Sequence, residues 1–359
     1  MAGTDLAVRR RHDATDAADP VAAAIADLRA GRMVVVIDDR APDGTGSLLL
    51  AAVHAGGAQI AFMIRHTDGI LQVAMPASEL DRLHLSAVGG AMSVDARSGI
   101  GVSASDRAQT IALLVDIETR PHDLRSPGHV FPVQAADGGV LRRAGRTEAA
   151  VDLARLAGLR PVGVIGDVID DDGSPADERA LHSFAAIHGL TVVSTTSLVA
   201  HRYRTERTVE LLAETRLPTE HGDFRALGFR STIDGLDHIA LVAGDLGTAS
   251  SVPALVRIQS ECLIGNTFQA WSCDCGPQLH WAMRKTVSQR AGVVVYLRGK
   301  PAAGTELGVG AQILRALNLD RVRLLTNDPG DRVTLQQYGV DVVASVRMPA
   351  QRRTRCPLS

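Results

Sequence analysis

The residues of this sequence with the clearest chemical meaning are three clustered cysteines. Cys262, Cys273 and Cys275 follow the spacing Cys-x10-Cys-x-Cys, and only one other cysteine is present. Thiolates are soft ligands that hold Zn²⁺ tetrahedrally, and structural zinc sites normally use four ligands. Three ligands leave a fourth position for water, whose pKa falls to about 7 on zinc. The spacing therefore predicts a zinc site with a hydrolytic water.

The alternative for this cluster is three buried thiols without a metal, since cysteine is a common core residue. Asp274 and Gly276 flank the last cysteine, a pattern typical of a loop rather than of a core stripe. The pattern therefore favours metal binding. Cys356, close to the end of the chain, is predicted to be a bystander, and four cysteines in 359 residues do not indicate a disulfide framework.

Short apolar strands alternate with helical patterns through the first half of the chain. Asp19-Pro20 is a helix start, with Val21, Ile25 and Leu28 on one face and Gly31 as the stop. A buried strand follows, with two aspartates at its exit. The strands are predicted at 33–37, 162–165 and 190–193, and the later helices at 147–156 and 178–188. This alternation predicts a layered α/β domain.

The second half is separated from the first by a charged segment. Residues 202–207 contain few apolar side chains and are predicted to form a linker. The predicted domains are 20–203 and 207–359, after a disordered tail over 1–19. In the second domain, Asp234-Gly235 indicates a turn. Its strands are predicted at 209–213, 239–242, 293–297 and 322–325, and a helix near 311–317.

Composition excludes several classes of function. The net charge is −2 and aromatic residues make up 3%, which argues against nucleic-acid binding. No apolar run approaches the roughly 18 residues of a membrane span. The basic N-terminus is followed by aspartates rather than by an apolar segment, so a signal peptide is not expected and the predicted location is cytoplasmic.

The sequence around the cysteines resembles GTP cyclohydrolase II over about Arg207 to Met348. The matching motifs are VRIQSECLIG at 256–265, CDCGPQ at 273–278, LPTEHG at 217–222 and LLTNDP at 324–329. In that family, water on zinc attacks the imidazole ring of GTP, and formate and pyrophosphate leave. The resemblance implies zinc on the three cysteines and guanine-nucleotide contacts from Arg257, Ser260, Glu261, Gln278 and Thr326.

Several positions in this half depart from the family pattern. The Glu-Gly-Arg-Gly loop that holds triphosphate and base is absent, together with a long segment. The family's Asp-x-Arg pair aligns with Ala303 and Thr305, which can neither accept a proton nor act as a cationic phosphate partner. The phosphate-binding lysine aligns with Asp331, which would repel a triphosphate, and the motif histidine aligns with Gln259.

The first half, over roughly residues 20–203, resembles 3,4-dihydroxy-2-butanone 4-phosphate synthase. The matching motifs are DRAQT at 106–110, GHVFP at 128–132, RAGRTEA at 143–149 and DLARLAG at 152–158. That family isomerises ribulose 5-phosphate and expels formate. Two metal ions, usually Mg²⁺, hold the sugar oxygens through a glutamate of an acidic loop and a histidine. The resemblance implies that His129 and Asp167 are a remaining proton-transfer pair.

The metal and substrate positions of this half are altered. The acidic loop reads DDRAPDGTGS at 38–47, so the ligand glutamate becomes Asp43, and Pro42 and Ser47 replace an arginine and an aspartate that bind substrate. The ligand histidine becomes Arg146, whose guanidinium has no lone pair and repels Mg²⁺. The active-site cysteine position is Gln72. The Mg²⁺ site is therefore predicted to be lost.

Each of these residues also has a simpler interpretation. His129 could form only a loop hydrogen bond, and Asp43 could be an ordinary turn aspartate. Arg146 could pair with Asp43 and replace the metal as a fixed charge, or it could be a solvated surface arginine. These alternatives stay open from the sequence.

Three functions compete for the whole chain, with a fold of two domains, α/β and α+β. The first, favoured by changes in both halves, is a divergent zinc-binding paralogue that serves as a regulatory or partner subunit. The second is an enzyme that retains a step of riboflavin synthesis, and the third is an enzyme with a changed substrate. A guanine nucleotide or a sugar phosphate is the expected ligand, and a homodimer or a heteromer with an active paralogue is the expected assembly.

Overall fold

The computed structural model describes residues 19–41, 44–85, 92–246, 252–289, 291–299 and 306–349. Most of the predicted tail therefore lies outside the described residues. The same holds for five positions singled out in the sequence: Pro42, Asp43, Ala303, Thr305 and Cys356.

The first half contains a seven-stranded sheet with helices on both faces. Its strand order is β4-β5-β3-β6-β2-β1-β7, where the strands are β1 Val34–Ile37, β2 Gly46–Ala51, β3 Leu71–Met75, β4 Val94–Ala96, β5 Leu124–Gln134, β6 Gly163–Asp167 and β7 Thr191–Ser194. The α-helices are α1 Pro20–Arg29, α2 Gly57–His66, α3 Ala77–Arg82, α4 Ala104–Val115, α5 Arg146–Leu156, α6 Glu178–His188 and α7 Thr195–Thr205.

The apolar run of β1 is continuous because both of its faces are buried. Val34 and Val36 pack into one hydrophobic cluster, and Val35 and Ile37 pack into another on the opposite face of the sheet. Strands buried on both faces are expected to show unbroken apolar runs. The prediction of a buried strand here is confirmed.

The second half contains another seven-stranded sheet, of mixed direction. Its order is β14-β13-β11-β12-β10-β9-β8, where the strands are β8 Val209–Thr219, β9 Gly222–Ser231, β10 Asp237–Gly244, β11 Ala254–Ser260, β12 Ala291–Leu297, β13 Arg321–Leu325 and β14 Asp341–Val346. A short π-helical turn spans Leu263–Thr267. The described α-helices are α8 Cys275–Ser288, α9 Glu306–Ala316 and α10 Gly330–Gln337.

The predicted linker at 202–207 is largely helical, which corrects the sequence interpretation. Arg202 and Tyr203 lie in α7 and are buried. The guanidinium of Arg202 donates hydrogen bonds to Asp152 and Glu206, both at 2.7 Å. The positive charge of Arg202 is therefore balanced by carboxylates of the protein rather than exposed to solvent. Composition alone wrongly predicted an exposed linker here.

The two halves pack directly against each other beside this helix. The ring of Tyr203 packs in a tilted arrangement against Tyr338 of the second half, with ring centres 5.0 Å apart, and one hydrophobic cluster extends from α1 to β14. A methyl group on Gly308 of α9 would overlap the ring of Tyr203. Glycine is therefore what lets α9 approach α7 this closely.

We expect Gly308→Ala to lower the free energy of unfolding by about 1–2 kcal/mol. Overpacking a buried contact costs about 1–3 kcal/mol, and the better helix propensity of alanine returns at most about 1 kcal/mol. Chemical denaturation measures the change. Gly228→Ala is the matched control, because the nearest atom to its new methyl would lie 3.9 Å away. An equal effect of both substitutions would contradict this packing argument.

Within the described ranges, no helix combines the length and the apolar content that crossing a bilayer requires.

Candidate active sites

The candidate site of the second half lies where parallel strands end. β11 pairs in parallel with β12 and β13, so their carboxyl ends meet at one edge of the sheet. Glu261 and Cys262 follow β11, Arg298 follows β12, and Thr326 follows β13. Ligands of open α/β sheets characteristically bind at this edge.

The three cysteines predicted to bind zinc come together. Cys262 Sγ and Cys273 Sγ are 3.6 Å apart, and all three sulfur atoms lie within 4.8 Å of one another. Zinc bonds of about 2.3 Å in tetrahedral geometry separate neighbouring sulfurs by about 3.8 Å. The sulfur arrangement therefore fits a zinc ion. Cys275 is the first residue of α8 rather than a loop residue, which corrects the prediction of a loop for the whole Cys-x-Cys pair.

Backbone groups around the cluster are placed to support thiolates. The amide of Gly265 donates to Cys262 Sγ at 3.2 Å, and the amide of Cys275 donates to Cys273 Sγ at 3.5 Å. A Cβ on Gly265 would lie 2.6 Å from Cys273 Sγ, so a side chain there would displace the sulfur. Such surrounding hydrogen bonds orient metal ligands.

Burial and crowding make charged thiolates costly within this cluster. Burial raises the pKa of the Cys275 thiol, and the neighbouring sulfurs of Cys273 and Cys262 raise it further. Three thiolates at this separation are therefore unfavourable unless a cation compensates their charge. A divalent metal ion would compensate that charge, and three uncharged thiols, of which those of Cys262 and Cys273 are buried, are the alternative.

Arg257, a predicted nucleotide contact, is held by its neighbours. Its guanidinium donates to Gln259 Oε1 at 2.9 and 3.2 Å and to the carbonyl of Leu325 at 3.1 Å. Burial lowers the pKa of Arg257, while the charges of Asp331 and Cys275 act in the opposite direction. Gln259, which replaces the family's histidine, therefore orients this arginine.

The carboxylate of Asp331 lies where the resemblance implies a phosphate-binding lysine. The hydroxyl of Thr326, another predicted contact, donates to this carboxylate and accepts from the amide of Asp328 at 3.0 Å. Burial raises the pKa of Asp331, the charge of Asp328 raises it further, and Arg257 lowers it. The aligned position therefore holds a partly buried acid beside Arg257, where the resemblance implies a cation.

Tyr296 and Asn266, which the sequence analysis did not single out, also lie at this edge of the sheet. The hydroxyl of Tyr296 on β12 donates to Asn266 Oδ1 at 3.3 Å. Burial raises the pKa of Tyr296, and the charges of Glu261 and Cys262 add to the shift, so the phenol lies close to the cysteines. Its signal in the sequence is a lone polar position within an otherwise apolar strand.

The other predicted contacts also border the cysteines. The carboxylate of Glu261 accepts a hydrogen bond from the amide of Gly299 at 2.8 Å. Ser260 ends β11, and Gln278 lies in the first turn of α8, where both are partly buried. The predicted residues therefore lie at the same edge of the sheet as the cysteines, while their roles as nucleotide contacts stay predictions.

In the first half, Arg146 forms the central contact of the altered site. Its guanidinium donates to Ser47 Oγ at 2.8 Å and to the carboxylate of Asp167, and Ser47 Oγ donates to Asp167 Oδ1 at 2.7 Å. Only a quarter of the Arg146 side chain is exposed, so the interpretation as a solvated surface arginine is wrong. Asp43, the other predicted partner, lies outside the described residues.

A second carboxylate borders this ion pair. The amide of Asp68 donates to the carbonyl of Asp167 at 2.9 Å. Burial raises the pKa of Asp68, the charge of Asp167 raises it further, and Arg146 lowers it. Arg146 thus compensates carboxylate charge at the position where the resemblance implies a metal-binding histidine, so the described residues do not fit the family's Mg²⁺ site.

His129, the other member of the predicted proton-transfer pair, is oriented by a buried aspartate. Its Nδ1 lies 2.9 Å from Asp95 Oδ2, and its amide donates to Asp95 Oδ1 at 2.9 Å. Asp95, on β4, was not identified from the sequence, and its side chain is only 2% exposed. A Cβ on Gly128 would overlap the backbone of Val94, so glycine permits this close approach of the strands.

The structure separates His129 from Asp167. β3 lies between their strands, β5 and β6, which places the two backbones about 10 Å apart. His129 sits on a strand and bonds a strand residue, so the interpretation as a loop hydrogen bond is wrong. A His–Asp pair is a general way to fix the orientation of an imidazole. The proton-transfer roles of His129 and Asp167 stay predictions.

Comparison with known proteins assigns both halves. A 3,4-dihydroxy-2-butanone 4-phosphate synthase family model matches residues 22–201, and a GTP cyclohydrolase II family model matches residues 210–308 and 299–347. The fold and the two sites therefore define a protein that joins these two domain types in one chain.

Relatives and a solved structure match nearly the whole length. A riboflavin biosynthesis protein RibBA of Salinispora arenicola is 43% identical, over 91% of this chain and 88% of its own length. A RibBA of Mycobacterium tuberculosis is 40% identical, over 93% and 90%. The crystal structure of RibBX from A. baumannii, titled a two-domain 3,4-dihydroxy-2-butanone 4-phosphate synthase, is 32% identical with a TM-score of 0.76, covering 92% of this chain and 99% of that one.

The chain belongs to the bifunctional RibBA-type riboflavin-biosynthesis family. The predicted family and two-domain α/β architecture are confirmed.

Proposed function

We propose that this chain is a zinc-dependent enzyme whose C-terminal half opens the imidazole ring of a guanine compound with fewer phosphates than GTP. Its full-length relatives are named riboflavin biosynthesis proteins, which supports an enzyme over the regulatory subunit favoured from the sequence. The observation that carries the proposal is the three-sulfur cluster, whose spacing and donor type fit zinc. The proposal thus combines a preserved metal site with an altered phosphate site.

Cys262, Cys273 and Cys275 would hold the metal. When bound in an open three-ligand site, zinc supplies Lewis-acid activation of water near neutral pH. The Tyr296 phenol, whose pKa burial raises, stays protonated and can donate a hydrogen bond to a substrate nitrogen or oxygen. The Glu261 carboxylate, held by the Gly299 amide, is placed to accept a proton or a substrate N–H.

The reaction balances without any further reactant. Two waters are consumed, both bonds between the imidazole carbon and its ring nitrogens break, and that carbon leaves as formate. Of the four hydrogens of the two waters, one becomes the acidic proton of formic acid, one goes to the nitrogen that bears the ribose and two go to the other nitrogen, which gives a diaminopyrimidine. Redox chemistry and a second substrate are therefore not needed.

The altered residues argue against a triphosphate. Phosphate transfer and cleavage need positive charge to stabilise charge developing on phosphate. Asp331 places an acid beside Arg257, and Thr305 stands at the family's arginine position. Losing one such electrostatic contact typically costs about 10²–10³ in rate, so GTP conversion with pyrophosphate release is disfavoured. A carboxylate instead suits the hydroxyl groups of a ribose.

We expect formate release and loss of purine absorbance from guanosine or GMP, with GTP turning over at least about 10²-fold more slowly. The measurement uses the full-length protein loaded with one zinc per chain. Cys275→Ser is the paired variant, because it removes one ligand and leaves Arg257, Asp331 and Tyr296 unchanged. Fast, zinc-dependent GTP turnover would refute the phosphate argument, and no turnover of any of the three compounds would refute the proposed activity.

A non-catalytic partner subunit is the second candidate. The Arg146–Asp167 ion pair favours it, because a fixed charge takes the place of a metal ligand in the other half. Mixing this chain with an active relative distinguishes the two functions. A subunit would form a stable heteromer and change the relative's rate while having no turnover of its own.

A further inference from the structure

A second group of metal-ligating side chains lies outside both sites described above. His221 Nε2 and His280 Nδ1 face each other at 2.7 Å. A carboxylate oxygen of Glu220 lies 3.2 Å from the former and 3.6 Å from the latter. The three ligand atoms thus form a compact triangle that includes two imidazole nitrogens.

The dimensions of this triangle are close to those of a metal site. Zinc–nitrogen and zinc–oxygen bonds are about 2.0–2.2 Å long, which separates neighbouring tetrahedral ligands by about 3.3 Å. The three observed separations, 2.7, 3.2 and 3.6 Å, lie on either side of that value. A small rotation of the exposed Glu220 and the half-exposed His280 would equalise them.

The ligands come from two separate elements. Glu220 and His221 form the tight turn between β8 and β9, and His280 lies on α8. Cys275 begins the same helix, so five residues, or about 7.5 Å of helix rise, separate the triangle from the cysteine cluster. An ion bound by all three residues would link the turn between β8 and β9 to α8, the helix that begins at Cys275.

We propose that Glu220, His221 and His280 bind a second divalent metal ion of the borderline class, such as Zn²⁺ or Ni²⁺. Imidazole with one carboxylate is a donor set suited to these ions, and three protein ligands leave a position for water. Arg284, one turn further along α8, is close enough to act on His221 electrostatically. Its positive charge opposes the bound ion and moderates the affinity.

The test is a metal titration of the protein already loaded with one zinc on its cysteines. Calorimetry with Ni²⁺, followed by metal analysis after gel filtration, should give one further ion per chain. An outer-shell change typically costs about 10–100-fold in metal affinity. Removing one of the three direct ligands should weaken the binding by more than that. His221→Asn and His280→Asn should each do so, while the zinc on the cysteines is retained.

Two further variants make the outcome specific. His182→Asn removes an exposed histidine of α6 and should leave the titration unchanged. Arg284→Gln should tighten binding, because it removes the opposing charge. Absence of a further ion in the wild type would overturn the site. Uptake by His221→Asn and His280→Asn as tight as that of the wild type would overturn it too. Either result would leave a simple hydrogen bond between two histidines. Neither result depends on catalysis. The metal-binding test can therefore fail while the test of the proposed activity succeeds, and the reverse.

Discussion

Replacing Cys273 with serine should empty the zinc site and abolish turnover of a guanine compound. Cys273 Sγ is the best-supported ligand atom of the cluster, because it lies 3.6 Å from Cys262 Sγ and accepts the Cys275 amide. A serine hydroxyl is a harder and far less acidic donor than a thiol, so it binds zinc poorly at neutral pH. Outer-shell changes alone cost about 10–100-fold in metal affinity, and loss of a direct ligand should cost more.

Metal analysis after dialysis measures the zinc, and thermal unfolding with and without added zinc measures its coupling to stability. Zinc should raise the unfolding temperature of the wild type and leave that of Cys273→Ser unchanged, since only the native site binds the ion tightly. Cys356→Ser makes the same chemical change outside the Cys-x10-Cys-x-Cys motif and should behave like the wild type. A metal-free wild type that is fully folded under reducing conditions would instead support three ordinary buried thiols.

Local sequence signals predicted the elements well where capping residues mark them. The helix over 178–188 has the predicted bounds because Asp177 caps its start and Gly189 ends it with a positive φ of 64°. Asp19 likewise accepts a hydrogen bond from Val21 at the start of α1. Such signals depend only on residues a few positions apart, so a single sequence carries them fully.

The junction of the two halves was misjudged because its partners are distant in sequence. Arg202 is matched by Asp152 and by Glu206, and Tyr203 by Tyr338. A segment rich in charge indicates a linker when only its composition is considered. The buried ion pair with Asp152, 50 positions away, reverses that interpretation.

The candidate sites show the same division between local and long-range information. The cysteine spacing predicted the cluster, because ligands of one ion are often close in sequence. Asp95 was missed, since only the pairing of β4 with β5 brings it to His129. Tyr296 was missed, because its role follows from the parallel pairing of β11 with β12. The sequence identified Arg146 as an altered position but did not show its contact with Asp167, because Asp167 lies on a separate strand 21 residues later in the chain.

We expect the N-terminal half to show no Mg²⁺-dependent formate release from ribulose 5-phosphate. Arg146 cannot ligate a metal, and its guanidinium binds Asp167 and Ser47, so the position is filled by a fixed positive charge. A like charge within a few ångströms also repels Mg²⁺. The His129–Asp95 pair can orient an imidazole, but without metal ions the sugar oxygens would not be held for it to act on.

Reversing this single substitution should not restore the reaction. In Arg146→His the imidazole regains a lone pair, but Ser47 and Asp167 can stay hydrogen-bonded to each other at 2.7 Å. The acidic loop would still lack the family's glutamate, arginine and aspartate, at Asp43, Pro42 and Ser47. Formate release should therefore remain at background for both proteins across a Mg²⁺ titration, with an active synthase as the positive control. Turnover by the wild type at a rate near that of the control would refute the inference that Arg146 and the altered acidic loop abolish the reaction.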